Sequence, residues 1–167
     1  MAENARWCDQ STGDDHSSMA SDPTSDVLEA RRCQSGFSDA RSIKVCVYFT
    51  GIYSVFDGHK ECSQLNSELI NIRSDVEEDL LETLMCSLFD DDNKSNANKA
   101  YIQGRWNGTH WVLDDGKAME HSMQWTTNTD LSKLQYGDRL SFYPKGHKIA
   151  INNGNLARPI FCAYDIV

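Results

Sequence analysis

The sequence predicts an α+β fold, and the order of two kinds of pattern predicts it. Two segments between residues 54 and 89 space their apolar residues as amphipathic helices do. From Tyr101 onward, short apolar runs are separated by turns rich in Gly, Asn and Asp. Helices followed by a set of short strands are typical of α+β domains. No period of about 20 to 50 residues repeats, which argues against a solenoid or a propeller.

The composition indicates one domain preceded by a tail. The chain has 167 residues, with 16 Lys and Arg against 25 Asp and Glu, for a net charge of −9. A domain usually takes about 100–200 residues. Residues 1–32 are rich in Ser, Asp and Thr and show no periodicity, so we interpret them as a flexible tail that buries too little apolar surface to order itself. Residues 33–167 are predicted to form the domain.

Several classes of function are disfavoured by the same features. An acidic chain whose Lys and Arg residues form no stripe is not expected to bind nucleic acid. No run of about 18 apolar residues is present, so membrane insertion is not expected, and residues 1–10 lack the features of a signal peptide. The sequence shows no signature of a catalytic nucleophile, a phosphate loop or a zinc site, and we predict no enzyme activity, cofactor or metal.

The first elements of the domain are a strand and a short helix. Apolar residues alternate with others from Ile43 to Phe49, which predicts a half-buried strand. Helical spacing over residues 54 to 66 predicts a helix with Ser54 as its N-cap. The residues expected on its apolar face are Val55, His59, Cys62 and Leu65.

A second helix is predicted by a capping box, in which Ser74 and Glu77 satisfy each other's backbone N–H groups. Its apolar stripe is predicted to consist of Val76, Leu80, Leu84 and Leu88. The helix should end before the acidic run of residues 90–96. That run does not fit a calcium-binding EF-hand, because Lys94 and Tyr101 fall at ligand positions, so we interpret it as a solvated loop.

The six cysteines leave the compartment open between two alternatives. No Cys-x-x-Cys pair occurs, and an even number of cysteines favours disulfides and an oxidising compartment, although six cysteines allow about 15 pairings. The alternative is a cytosolic protein with reduced thiols. The sequons at Asn93 and Asn107 fit glycosylation of a secreted protein. We therefore predict a secreted or extracellular domain.

Six motifs follow one another in a fixed order between about residues 33 and 166. They are Cys33-Gln-Ser-Gly-Phe37 with Cys46-Val-Tyr-Phe49, Cys62 with Leu69 and Ile72, the cap from Ser74 to Glu77, Tyr101-Ile-Gln-Gly104, Trp111-Val-Leu-Asp-Asp-Gly116 with Trp125, and Pro159-Ile-Phe-Cys162-Ala-Tyr164. Together with the order of elements, these motifs resemble the long form of the C-type lectin-like domain. Gln103 departs from the glycine that is usual at its position in that family.

The resemblance implies two helices, two small antiparallel sheets and a long loop that usually carries the ligand site. It also implies disulfides between Cys33 and Cys46 and between Cys62 and Cys162. The second conserved disulfide of the family is missing, because its positions fall near Arg139 or Leu140 and at Gly154. Cys8 and Cys86 have no partner in this scheme, so they pair together, link two chains into a dimer, or remain free.

The calcium-dependent sugar site of the family is also missing. Its Trp-Asn-Asp position falls on Ile149, Ala150 and Ile151, which offer no side-chain oxygen, and no Glu or Gln precedes a proline between Trp125 and Tyr143. Because calcium takes about six to eight oxygen ligands, we predict that no calcium binds there.

The resemblance therefore predicts a non-enzymatic, calcium-independent recognition module for a protein ligand; the alternative is a calcium-independent carbohydrate-binding lectin. We expect the ligand to bind the loop from Trp125 to Lys148 and the neighbouring Trp106, with Trp111 and Trp125 in the core. The predicted ligand-binding residues are Trp106, Asn128, Asp130, Lys133, Tyr136, Arg139 and Tyr143.

Overall fold

The computed structural model describes residues 33–34, 36–40, 44–89, 98–125 and 130–166. The predicted tail and the acidic run of residues 90–96 lie outside these residues. The helices are α1 (Val55–Gln64) and α2 (Asp75–Phe89), and Leu131–Lys133 form a 3-10 turn. The strands are β1 (Ser38–Ala40), β2 (Val45–Tyr53), β3 (Glu68–Leu69), β4 (Ala100–Trp106), β5 (Trp111–Val112), β6 (Gln124–Trp125), β7 (Arg139–Tyr143), β8 (Lys148–Asn152) and β9 (Arg158–Asp165).

The strands form two sheets, which agrees with the predicted α+β class. One sheet has the order β1-β2-β9-β3 and is antiparallel throughout. The other has the order β5-β4-β7-β8-β6 and contains one parallel pair, in which Trp125 of β6 lies opposite Ile149 of β8. The resemblance implied antiparallel pairs alone. The parallel pair forms because the chain between β6 and β8 is long enough to cross over and return in the same direction.

Strands β2 and β9 bring the two ends of the domain together. Their register runs from Val45 opposite Asp165 to Tyr53 opposite Arg158. The main core lies between the sheets and helix α2, and a smaller core surrounds Cys62, Tyr101 and Cys162. Neither helix in the described part of the chain combines the length and the apolar character needed to span a bilayer.

Helix α1 begins as predicted, since the Ser54 side chain accepts a hydrogen bond from the Asp57 N–H at 3.1 Å. Its buried residues are Val55, Gly58 and Cys62. Gly58 lies against Ile160, and a Cβ atom at this position would be 2.4 Å from Ile160 Cδ1. His59, predicted on the apolar face, is half-buried beside it. The close approach of α1 to β9 therefore depends on a glycine.

We expect Gly58→Ala to lower the free energy of unfolding by roughly 1–3 kcal/mol, because the new methyl group overpacks a filled core. Alanine favours helix over glycine by about 1 kcal/mol, so a net loss would show that the clash outweighs propensity. Ser63→Ala, on an exposed position of the same helix, is the matched control. Urea unfolding of both variants measures the effect, and equal stabilities would contradict the packing argument.

The apolar stripe predicted for α2 is half right: Leu80 and Leu84 pack on the main core, whereas the other two residues of the stripe face solvent. Val76 and Leu88 are 50% and 46% exposed, and the most buried residues of the helix are instead Glu77, Glu78, Leu81 and Met85. Two carboxylates are buried because each has cationic or hydrogen-bonding partners, which offset the cost of desolvation. Spacing of apolar residues alone does not show such partners.

The predicted capping box of α2 is displaced by one residue. Glu77 accepts a hydrogen bond from the backbone N–H of Arg73, rather than from that of Ser74, and its other oxygen lies 2.7 Å from Arg73 Nη2. Arg73 Nη2 also lies 3.0 Å from Asp165 Oδ1. The start of α2 is thereby attached to the end of β9.

The disulfides are those that the resemblance implies. Cys33 bonds Cys46, and Cys62 bonds Cys162. Cys86, for which three alternatives were open, is disulfide-bonded as well. The alternative of a free thiol at Cys86 is therefore wrong.

Candidate functional site

The predicted loop from Trp125 to Lys148 is interrupted by a strand. Strand β7 takes up Arg139–Tyr143, so these two residues lie at opposite ends of it, about 13 Å apart at 3.3 Å per residue. The Tyr143 ring lies 5.6 Å from Lys99 Nζ. The structure thus separates Tyr143 from the other predicted binding residues.

Three of the remaining predicted residues lie at or near the other end of β7. Trp106 ends β4, Tyr136 is in the turn before β7, and Arg139 begins β7. Asp130 caps the start of the 3-10 turn and Lys133 is its last residue, with Lys133 Nζ 3.8 Å from Asp130 Oδ2. Asn128 lies outside the described residues.

Tyr136 is held on a turn that is fixed to strand β4. The Trp106 N–H donates to the Asp138 carbonyl at 2.9 Å, and the Gly137 N–H donates to the Trp106 carbonyl at 2.8 Å. Gly137 has a φ of +92°, which glycine adopts without steric cost. The side chain of Tyr136 is 75% exposed. A large aromatic ring is therefore presented to solvent from a backbone that is hydrogen-bonded on both sides.

Trp106 is half-buried rather than a free surface residue. Its ring packs edge-on against Trp111, with centroids 5.3 Å apart, and Trp111 in turn lies 6.1 Å from Trp125. Trp111 and Trp125, predicted as core, pack on the main core but stay partly exposed. Trp106 therefore has a packing role, through its contact with Trp111, and is also partly exposed to solvent.

Arg139 is fixed by three neighbours. Its Nε donates to the Gly137 carbonyl at 3.3 Å, its Nη1 donates to His59 Nε2 at 3.3 Å, and its guanidinium carbon lies 5.3 Å from the centroid of the Phe56 ring. The ring of Phe56 is 46% exposed and contributes a cation–π contact. Burial lowers the pKa of Arg139, which remains charged.

His59 links Arg139 to Asp114. Because Nε2 accepts from Arg139, the ring proton is on Nδ1, which lies 3.5 Å from Asp114 Oδ2. Burial lowers the pKa of His59, and Arg139 adds to this, whereas the carboxylates of Asp114 and Glu68 oppose it. Burial also raises the pKa of Asp114. His59 is therefore held neutral between a cation and a carboxylate.

We expect the pH dependence of stability to report this arrangement. A histidine whose pKa is lowered on folding contributes most above its unfolded pKa of about 6.5, and this contribution is lost as the pH falls from there towards the folded pKa. His59→Gln should therefore flatten the fall in melting temperature between neutral pH and mild acid. The difference between the two proteins isolates His59, because the other titrating groups are common to both. Parallel pH profiles would contradict the assignment.

Phe56, His59 and Asp114 join this surface without any signal in the sequence. Phe56 and His59 come from helix α1, and Asp114 follows β5, so only the packing of α1 against the β7 sheet brings them to Arg139.

Phe56 packs on Arg139, and Trp106 is hydrogen-bonded through its backbone to the turn that carries Tyr136; we call these four residues the Tyr136 surface. Because Arg105 lies opposite Arg139 in the β4–β7 register, the Trp106 side chain projects from the face of the sheet opposite to that of Arg139.

Asn107, a predicted glycosylation site, closes the turn next to this surface. Its Oδ1 accepts hydrogen bonds from the backbone N–H groups of Thr109 and His110, both at 2.9 Å. Glycosylation of Asn107 stays a prediction, and Asn93 lies outside the described residues.

A separate cavity of about 430 Å³ lies along β3 and β9, away from the described residues of the predicted site. Its polar lining includes Glu68, Asn71, Asp115 and Lys117. Gln103, which replaces the usual glycine, lines the cavity and is buried; its Nε2 donates to the Leu69 carbonyl at 2.8 Å, and its Oε1 accepts from the Asp114 N–H at 3.0 Å. The departure from the family pattern is thus fully hydrogen-bonded.

Comparison with solved structures identifies the arrangement of helices and sheets. The mouse scavenger receptor C-type lectin carbohydrate-recognition domain matches with a TM-score of 0.64 and 13% identity, over 81% of this chain and all (100%) of that one. The calcium-independent C-type lectin SPL-2 from Saxidomus purpuratus matches with a TM-score of 0.62 and 17% identity, over 80% of this chain and 94% of that one. This chain has the C-type lectin-like fold. SPL-1 in complex with GlcNAc matches it as well, with a TM-score of 0.64 and 17% identity, over 81% and 96% of the two chains.

Similarity is found in structure and not in sequence. No protein-family profile matches the sequence, and no curated protein shows significant sequence similarity to it. At such low identity the C-type lectin-like fold is shown, whereas the ligand and its chemistry are not carried over.

Arg139 and Gly154, near which the resemblance places the family's second disulfide, pack directly against each other. A Cβ atom on Gly154 would lie 3.1 Å from Arg139 Cγ, so the stem of Arg139 covers the backbone of Gly154. The Tyr101 hydroxyl donates to the Leu156 carbonyl at 2.8 Å and ties down the same segment. Packing and hydrogen bonds thus hold this region.

The residues at which the resemblance places the family's calcium ligands, 149–151, lie in strand β8. Ile149 is buried in the main core, and Ala150 and Ile151 are half-buried. None of the three offers a side-chain oxygen to a hard cation such as calcium.

Proposed function

We propose that this domain is a non-enzymatic, extracellular recognition module that binds a protein ligand through the Tyr136 surface, without calcium. The observation that carries the proposal is the exposed ring of Tyr136 on a turn hydrogen-bonded to β4. Exposed aromatics and arginine are the residues on which binding energy concentrates in protein interfaces.

The geometry of the surface supports this use. Arg139 is held by Gly137, His59 and Phe56, so little side-chain entropy would be lost when a partner covers it. Its burial also weakens the hydration that a ligand would have to displace. A carboxylate of the partner, paired with this guanidinium and packed against Tyr136 and Phe56, is the complement that the surface favours.

The extracellular assignment rests on the disulfides. Both described bridges close loops within the domain, and Cys46, Cys62 and Cys162 are fully buried. Such bridges persist in oxidising compartments and are rare in the cytosol. Mass spectrometry of the secreted and cell-retained fractions after expression in a eukaryotic cell line tests the assignment, together with glycosylation at Asn107.

A calcium-independent carbohydrate site is the second candidate, and the cavity along β3 and β9 favours it. Carboxylates, amides and a lysine line an open space of about 430 Å³, which provides the hydrogen-bonding groups a sugar needs. SPL-1 was solved with GlcNAc, and SPL-2 is described as calcium-independent, so proteins of this fold can have either property. A glycan array probed with and without chelator, and with Asn71→Ala as the test variant, separates this candidate from the first.

We expect thermal melts in calcium chloride and in EDTA to coincide. An ion present at about 100 times its dissociation constant would stabilise the fold by about 2.7 kcal/mol, which a melt would resolve. Strand β8 supplies no carboxylate, so no such gain is expected at the usual position. A reproducible rise in melting temperature with calcium would contradict this and direct attention to other acidic segments.

A further inference from the structure

One face of helix α2, apart from both candidate binding regions, brings carboxylates together with two histidines from distant segments. The carboxylates are spaced i, i+3, i+4 and i+7 along the helix, so all four lie on one face. The histidines reach this face from the segment before β6 and from the turn between β7 and β8. The six residues are Asp75, Glu78, Asp79, Glu82, His121 and His147.

Glu78 is the centre of this group. Its side chain is 8% exposed, and its two oxygens contact different histidines: Oε2 contacts His121 Nε2, and Oε1 lies 2.9 Å from His147 Nδ1. A buried carboxylate is destabilising unless it is paired. Glu78 therefore depends on its contacts with His121 and His147, and these contacts fix the orientation of both rings.

This orientation leaves one nitrogen of His147 facing two further carboxylates. With Nδ1 donating to Glu78, Nε2 lies 2.9 Å from Glu82 Oε1 and 3.7 Å from Asp79 Oδ1. Zinc binds histidine nitrogen and carboxylate oxygen at about 2.0–2.2 Å, which separates neighbouring ligand atoms of a tetrahedral ion by about 3.4 Å. The two distances lie on either side of that value, so small side-chain movements would suffice to admit an ion.

We propose that His147, Asp79 and Glu82 form a binding site for a zinc-class divalent cation, with Glu78 as the residue that orients His147. A metal-bound histidine usually donates its other N–H to a carboxylate, and Glu78 occupies that position. One imidazole and two carboxylates suit zinc better than calcium or magnesium, which prefer oxygen ligands alone. The Asp79 side chain is 72% exposed, so the site opens to solvent for entry and for water ligands.

The site differs in place and in chemistry from the calcium position of the C-type lectin-like fold. It is built on helix α2 and the β7–β8 turn, whereas that position falls on residues 149–151 of strand β8. No sequence pattern predicted it, because its histidine is 65 residues away from Glu82. Metal binding here would link the turn to the helix, and does not depend on the Tyr136 surface.

Titration calorimetry with zinc chloride on the chelator-treated, tag-free chain tests the proposal. We expect one zinc ion per chain bound at His147, confirmed by elemental analysis, and no heat with calcium chloride. His147→Gln should weaken binding at least 100-fold, and Glu78→Gln should weaken it about 10- to 100-fold through loss of orientation. His110→Gln, an exposed histidine in the turn after β4, is the matched control and should bind as the parent does.

Circular dichroism and melting of each variant establish that it is folded before binding is compared. If His147→Gln does not fold, Asp79→Asn keeps the test decisive, because that side chain is largely exposed. The proposal is overturned if the parent binds no zinc, or if a folded His147→Gln or Asp79→Asn variant binds zinc as the parent does. The histidines and carboxylates on this face of α2 would then form a hydrogen-bond network that binds no metal.

Discussion

Replacing Cys62 and Cys162 together by alanine should lower the free energy of unfolding by about 4–5 kcal/mol. The bridge joins residues 100 positions apart, and closing a loop of that length removes about 4.7 kcal/mol of denatured-state entropy at room temperature. Both cysteines are also fully buried, beside Leu69, Tyr101 and Ile160 in the smaller core. Because single domains are stable by about 5–15 kcal/mol, this variant should be close to unfolded at body temperature.

The second bridge provides the matched comparison. Cys33 and Cys46 are 13 positions apart, so their replacement should cost less, about 3 kcal/mol by the same relation. Urea unfolding of the parent and of both double variants gives the order directly. A larger loss from the short loop than from the long one would contradict the entropic account and indicate that packing around the sulfur atoms dominates.

Tyr136→Ala should weaken ligand binding by roughly 2 kcal/mol, or about 30-fold, while leaving the melting temperature nearly unchanged. The two effects separate because this side chain is 75% exposed and has little packing to lose. A buried aromatic cut to alanine would instead cost about 3–5 kcal/mol of stability. Leu88→Ala, on the exposed side of α2, removes a comparable apolar group far from the Tyr136 surface and should change neither quantity.

Trp106 is a less direct probe than the sequence suggested. Its contact with Trp111 means that Trp106→Ala should lower stability as well as binding, since aromatic pairs contribute about 0.5–1.5 kcal/mol beyond area burial. A folded Tyr136→Ala variant that binds normally would place the ligand elsewhere, and the cavity along β3 and β9 would become the better candidate.

The parts of the fold that local patterns predicted are those in which neighbouring residues act on one another. The alternation from Ile43 predicted strand β2, whose pairing with β9 begins at Val45. Ser54 caps helix α1, as predicted from its position. The fold itself followed from the order and spacing of cysteines and aromatics. Alternation, capping and spacing can be read from the sequence without knowing which distant residues contact one another.

The errors arose where tertiary contacts decide. Glu77 and Glu78 turn inward on α2 because Arg73, His121 and His147 pair with them, and the apolar residues Val76 and Leu88 are exposed instead. No periodicity in α2 contains this information, since two of the three partners lie after β5.

The same reason explains what was missed at the site. Tyr136 and Arg139 are close in sequence and were predicted together, but Phe56 and His59 reach them only when α1 packs against the second sheet. Tyr143 was included in the predicted site because it is close to Arg139 in sequence, but the length of β7 separates it from Arg139. A loop prediction cannot distinguish the two ends of a strand within it.

The most direct test of calcium-independent recognition is a binding screen in two buffers. A fluorescent tetramer of the full chain is applied to cells displaying single extracellular proteins and to a glycan array, once with calcium chloride and once with EDTA. We expect a displayed protein to bind equally in both buffers, with the signal reduced for Tyr136→Ala and kept for Leu88→Ala. Two results would contradict the account: binding that requires calcium, and binding to glycans that is the same for Tyr136→Ala as for the parent.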